Sequence, residues 1–139
     1  MATYIHEPLP DPNRYIRLLE VIKLDDNEVE GLRIQVHCRL TVWPLQGLPS
    51  YSALSYTWGN ETDTRPILVD GKVMLVSRNC EYALKQAKEY SSRRQRYLWC
   101  DAICIIQKTD GINIEKNHQV RLMGEVYRGA KQVLACIGE

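Results

Sequence analysis

The stretch Leu32–Val42 constrains the fold more than any other part of the chain. Leu32, Ile34, Val36, Cys38, Leu40 and Val42 alternate with Arg33, Gln35, His37, Arg39 and Thr41. Successive side chains of a strand point to opposite faces, so strict period two means one apolar and one polar face. That pattern belongs to a half-buried strand of the antiparallel kind. Such a strand needs a partner. Residues 14–24, RYIRLLEVIKL, are apolar but fit helix or strand by period alone. The polar stretch 25–31, DDNEVEG, is short enough to turn the chain between the two, so a hairpin is the natural pairing and favours strand for 14–24. His37, on the polar face, is expected to meet solvent.

Residues 1–13 are rich in proline and polar groups and read as an extended lead-in, which leaves 14–139 as a single domain. After a Pro/Gly loop over 44–50, YSALSYTWG (51–59) reads as a strand ending at Gly59. RPILVDGKVMLVS (65–77) reads as a hairpin, because Asp70-Gly71 is a two-residue turn that tolerates positive φ between apolar flanks. Cys80, Ala83, Leu84 and Ala87 recur at helical spacing, which predicts a helix over 79–90 with Ser77 or Asn79 as its cap. Glu81 and Lys85 form a favourable i,i+4 pair on its other side, and 91–96 is a solvated connection. YLWCDAICII (97–106) is nearly continuous in apolar residues, as a strand buried on both faces would be. A second helix over 114–129 and a short buried strand over 132–138 complete a βαβ unit, whose crossover should be right-handed. The expected class is α/β: an antiparallel N-terminal ribbon and a β-hairpin insertion joined to a parallel core.

Bulk properties remove several function classes. At 139 residues, 45% hydrophobic and 25% charged, the chain suits one globular core. Its net charge of +1 gives no basic footprint for nucleic acid and no polybasic membrane patch. No apolar run approaches the ~20 residues of a membrane span. Residues 1–12 lack the basic start and apolar centre of a signal peptide, so a cytoplasmic location is expected. The five cysteines are an odd number lying mostly in apolar runs, which fits reduced, buried thiols.

Ligands of open α/β sheets bind beyond the carboxyl ends of the strands. With 52–58 and 97–106 as parallel neighbours, one end loop carries Tyr56, Trp58, Gly59 and Asn60. The other carries Cys104, Gln107, Lys108 and Asp110. Asp101 is the odd residue of its run. A buried carboxylate must be paired or neutralised, so it either bonds locally to backbone or an arginine, or serves a site. On the second helix the apolar stripe Leu122, Met123, Val126, Tyr127 and Ala130 continues toward the N-terminus as Gln119 and Glu115. These two either solvate a frayed first turn or line a pocket at the positive end of the helix dipole. Cys100 and Cys104, four apart on a strand, would stand ~13 Å apart, too far to share a zinc ion, and no CxxC or HExxH occurs. No metal is therefore expected. Cys104 with His118 is conceivable as a nucleophile pair, but an inert buried thiol and an exposed histidine is the more frequent arrangement.

Four stretches of the chain carry a resemblance. YSALSYTWG (51–59) resembles the YxALSYxWG motif of fungal heterokaryon-incompatibility (HET) domains, and LWCDAICIIQ (98–107) resembles their LWIDAICINQ motif. EKNHQVRLMGEVYRGAKQVLACIG (115–138) is similar to their third block, ERxxQVxxMxxIYxxAxxVxxWLG, and PLPDPNRYIRLLEV to the usual approach to the domain. Ile106 stands where the family usually has Asn, Cys100 where Ile is common, and Cys136 where Trp is common. The resemblance implies a TIR-like (flavodoxin-like) parallel core in which 52–58, 97–106 and 132–138 play the first three strands. It implies non-self recognition and programmed cell death through homo-oligomers or other HET/NLR-type signalling proteins, as in innate immunity. An alternative is an NAD-cleaving or nucleotide-processing enzyme, with NAD as substrate, Tyr56 and Trp58 stacking on a base, and Glu115 as the acid. Gly59, Asp101, Gln107 and Gln119 complete that ligand set. TIR enzymes carry their glutamate on the helix after the third strand, which is expected to lie beyond Glu139. A third alternative is an inactive fragment or a regulator of full-length relatives.

Overall fold

A computed structural model describes residues 2–57, 62–91, 96–107 and 114–136. The alternating stretch is strand β2 (Leu32–Pro44), paired antiparallel with β1 (Tyr15–Val29) in register from Tyr15↔Pro44 to Val29↔Leu32. Ile34, Val36 and Cys38 are buried as the period requires, while Leu32 and Val42 at the ends are exposed. The turn is tighter than the polar stretch 25–31 led one to expect. Strand β1 runs on through Asp25–Val29, and only Glu30 and Gly31 turn, at φ 48° and 81°. Register shifts between Val21 and Lys23 and between Leu24 and Asn27 mark where the ribbon leaves the packed sheet. There Asp26, Asn27 and Glu28 are exposed although Ile34 across the ribbon stays buried, so polar residues suit this end of β1. His37 is a further correction: its Nε2 lies 2.9 Å from Asp25 Oδ1 across the ribbon and its side chain is 18% exposed.

The expected hairpin forms from β4 (Thr64–Val69) and β5 (Lys72–Ser77), with Asp70 and Gly71 at φ 51° and 79°. Helix α1 (Arg78–Ser91) buries Cys80, Ala83, Leu84 and Ala87. Ser77 is its cap, its Oγ accepting the Cys80 N–H at 3.1 Å, whereas Asn79 donates to the Thr57 carbonyl. Glu81 pairs with Lys85 at 3.4 Å but is itself 7% exposed, so that pair borders the core. The connection 92–95 lies outside the described residues.

The largest correction falls on residues 97–106. Only Tyr97–Trp99 is strand (β6), and Asp101–Cys104 is one helical turn (α2). Leu98, Trp99, Cys100, Ile103, Cys104 and Ile105 are all essentially buried. The run is interior, as its composition predicts, but continuous burial carries no period and cannot separate a strand from a turn of helix. Two polar side chains decide it. The Asp101 carboxylate accepts the Ala102 N–H at 2.8 Å, and Gln107 Nε2 closes the other end by donating to the Asp101 and Ile105 carbonyls at 2.9 and 3.0 Å.

Helix α3 (Ile114–Gly129) and β7 (Gln132–Cys136) follow. The seven strands make one sheet in the order β5-β4-β2-β1-β6-β3-β7, with β3 spanning Tyr51–Tyr56. Strands β6, β3 and β7 are mutually parallel, β1 joins them antiparallel through Leu19↔Leu98, and the hairpin extends the far side through β4 beside β2. The class is thus mixed α/β, as expected. Strand β7, expected to be buried, instead alternates half-buried and exposed residues, with Val133 47% exposed, and among the described residues it pairs on its β3 side alone.

The extended segment before β1 is bound along its length rather than trailing. Tyr4 N–H donates to the Val73 carbonyl and Val73 N–H to the Ala2 carbonyl, so it begins as a bridge on the β5 edge. It then crosses toward α3, where Leu9 is 6% exposed. Among the described residues no helix is long and apolar enough to cross a membrane.

Candidate functional site

The predicted site residues separate into two groups, joined by the turn Asp101–Cys104. The first lies at the carboxyl ends of β3 and β6. The Tyr56 hydroxyl is 3.8 Å from Cys100 Sγ, which is 3.9 Å from Cys80 Sγ. Burial, then the neighbouring Cys100 and Cys80, hold the Tyr56 hydroxyl well above its ordinary pKa. Cys100 is raised too, first by its contact with Cys80 and then by burial. These groups stay protonated and neutral. Asp101 is also raised, chiefly by burial and against the pull of its backbone hydrogen bonds. Its local bond to the Ala102 N–H is the bland alternative of the sequence reading, and Gln107 spends its amide donors holding the same turn. Trp58, Gly59, Asn60, Lys108 and Asp110 lie outside the described residues.

The second group gathers at the start of α3. Gln119 is 2% exposed, so the apolar stripe does continue as polar residues facing inward. Their partners, however, belong to the N-terminal segment and β1. Gln119 Nε2 donates to the Pro12 and Tyr15 carbonyls at 2.9 Å each. Glu115 Oε2 accepts the Leu9 N–H at 3.0 Å. Its Oε1 lies 2.6 Å from Arg17 Nη2, a Coulombic contact without hydrogen-bond alignment. Arg17, only 1% exposed, also donates to the Cys104 carbonyl at 3.1 Å and the Glu7 carbonyl at 2.7 Å. His6 Nε2 meets the Ile103 carbonyl at 2.7 Å. Both ends of the turn are therefore held, one against Tyr56 and the other by Arg17 and His6.

Arg17 and His6 were not singled out from sequence. Arg17 had a signal, being a charge inside the apolar run YIRLLEVI, the same anomaly that drew attention to Asp101. Glu20 repeats it: 6% exposed, it pairs with Arg96 at 2.7 Å.

Cys100 and Cys104 sit on a helical turn, so their strand spacing no longer applies. No hydrogen bond joins Cys104 to His118 among the described residues; the Cys104 thiol is pushed up by burial, and His118 Nδ1 is buried without a partner. A further surface feature lies beside the β7 edge. A groove of about 610 Å³ runs along Gln132–Cys136 and is walled by Gln86, Ala87, Glu89 and Tyr90 of α1.

The segments YSALSYTWG and LWCDAICIIQ, which carry the resemblance, begin on the neighbouring parallel strands β3 and β6. The family model for heterokaryon incompatibility protein (HET) matches residues 51–139, and the chain belongs to that family. It is also 35% identical, over 149 aligned residues, to heterokaryon incompatibility protein 6, OR allele, of Neurospora crassa. That alignment covers 99% of this chain, including the N-terminal segment and the β1–β2 ribbon, but 21% of the relative, so the chain spans about a fifth of that protein's length. No solved structure matches it significantly. Family membership ties the chain to fungal heterokaryon incompatibility.

Proposed function

We propose that the chain acts in fungal non-self recognition and cell-death signalling as an assembly module of TIR-like plan, pairing through the β7 edge with like domains. One observation carries the reading: among the described residues β7 pairs on its β3 side alone, and its five residues, QVLAC, carry no charge. Natural edge strands are guarded by lysine, proline or a bulge, because unpaired N–H and C=O groups recruit other strands. Here Val133 is exposed, and the groove beside it offers Tyr90, 72% exposed, as an apolar wall. The parallel order β6-β3-β7 is consistent with the first three strands of a flavodoxin-like sheet, in which the first strand is flanked by the second and third.

The NAD-cleaving alternative draws no comparable support, since both oxygens of Glu115 are engaged by Arg17 and the Leu9 N–H. The test of assembly is sedimentation velocity over a concentration series. The wild-type chain should associate as concentration rises, and Val133→Lys should hold it monomeric while leaving thermal stability unchanged. A wild-type chain that stays monomeric throughout, or a Val133→Lys chain that associates equally, overturns the proposal.

A further inference from the structure

Among the described residues the sheet ends at β5 and at β7, and the two ends differ. At β5 the N-terminal strap, residues 2–12, takes both outward main-chain groups of Val73. The Tyr4 N–H donates to the Val73 carbonyl at 2.8 Å, and the Val73 N–H donates to the Ala2 carbonyl at 2.9 Å. A strand arriving at β5 must first displace the strap. At β7 no described segment intervenes.

The ladder fixes which groups of β7 point outward. The Lys131 N–H donates to the Tyr51 carbonyl at 2.8 Å. Alternate residues of a strand turn their main-chain groups to opposite neighbours, so Val133 and Ala135 face β3, while Gln132, Leu134 and Cys136 face away. The Leu134 carbonyl meets only the Cys136 thiol, at 3.8 Å. These outward groups are centred on Leu134. An antiparallel copy related by a two-fold axis at Leu134 uses all of them, with Leu134 opposite itself and Gln132 opposite Cys136 of the second copy. Close to such an axis any charge stands near its own like, which is destabilising, and QVLAC carries none. Leu134, half-buried on the groove wall, then meets an identical apolar side chain. Val133 and Ala135, both exposed on the other face, stand opposite each other in the closer, non-hydrogen-bonded kind of pair.

We infer that the assembly is a closed two-fold dimer, made by antiparallel β7–β7 pairing with Leu134 on the axis, and that the strap over β5 stops growth at two. The inference rests on the edge-assembly reading above and adds the orientation, the register and the limit on growth.

Sedimentation velocity on four chains tests it: wild type, Val133→Lys, and Val133→Lys combined with Ala135→Asp or with Ala135→Lys. Both positions are exposed, so the fold tolerates these changes. Wild type should reach twice the monomer mass and grow no further. In the stated register the combination with Ala135→Asp sets an ammonium of each copy against a carboxylate of the other. It should restore the dimer, with a dissociation constant roughly tenfold below that of Val133→Lys alone at low salt. The combination with Ala135→Lys should stay monomeric. Wild type that remains monomeric at every concentration overturns edge assembly and this dimer with it. Wild-type species larger than a dimer, or a combination with Ala135→Asp no tighter than Val133→Lys, overturns the two-fold dimer and leaves edge assembly standing.

Discussion

Glu115→Ala is the substitution that separates a structural glutamate from a free acid. In the wild-type chain the Glu115 carboxylate sits 2.6 Å from a guanidinium whose side chain is 2% exposed. Removing it leaves Arg17 charged and buried, with only the Cys104 and Glu7 carbonyls around it. Breaking a buried pair from one side is worth about 3–5 kcal/mol. The Glu115 side chain is itself 14% exposed, so water relaxes part of the penalty and the low end applies. The Leu9 N–H also loses its acceptor, about 1 kcal/mol more. The sum is roughly 4 kcal/mol, and at a few degrees per kcal/mol for a domain of this size the melting temperature should fall by roughly 12 °C. Urea unfolding is the direct assay: the midpoint should drop by about 2 M at an ordinary slope of ~2 kcal/mol/M, with the slope unchanged. Glu115→Gln keeps an acceptor for Leu9 and should recover roughly 1 kcal/mol of the loss. A Glu115→Ala chain within about 0.5 kcal/mol of wild type, the range of ordinary surface changes, would refute the assignment of Glu115 to the strap and return it to the pool of candidate acids.

Two further outcomes follow from the same contacts. His6 is held below its ordinary pKa of 6.5, first by burial, then through the nearby Arg17 and against its hydrogen bond to Ile103. The unfolded chain then binds more protons between the lowered value and 6.5, so stability should be complete above 6.5 and decline as pH falls through that window, a slope that His6→Asn removes. A Cβ at Gly129 would stand 3.0 Å from the Tyr51 hydroxyl, which donates to the Val126 carbonyl at 2.5 Å. Gly129→Ala should therefore destabilise by about 1 kcal/mol, overpacking outweighing the gain in helix propensity. In a Tyr51→Phe background the same change should be neutral or favourable, measured as a double-mutant cycle in urea.

The parts of the fold that were legible in the sequence are those where one face is wet. Alternation over 32–42, the Asp70-Gly71 turn and the stripe of α1 each pair a period with a boundary, and each forms where expected. Gln119 and Glu115 were legible as inward-facing for the same reason, through their place on the α3 stripe. What they face was not, because their partners lie 107, 104 and 106 residues away in sequence. Residues 97–106 failed where the period vanished: an interior strand and an interior helical turn have the same apolar composition, and the side-chain bonds of Asp101 and Gln107 choose between them. For β7 the composition of QVLAC reads as interior, yet its residues alternate half-buried and exposed and among the described residues pair with β3 alone, and that mismatch is the basis of the proposed assembly. Of the candidate residues, Tyr56 ends β3 with its hydroxyl 3.8 Å from Cys100 Sγ, and Asp101 follows β6 and bonds to the Ala102 N–H. Glu115 and Gln119 contact the N-terminal segment and β1.

Hydrogen exchange at β7 tests the assembly claim most directly. The amides of Gln132–Cys136 that point away from β3 have no strand partner among the described residues. In dilute protein they should exchange at nearly the rate of unstructured peptide. In concentrated protein they should become protected in step with association, and Val133→Lys should abolish that protection. Association that proceeds while those amides stay unprotected would contradict the account and place the interface elsewhere on the domain.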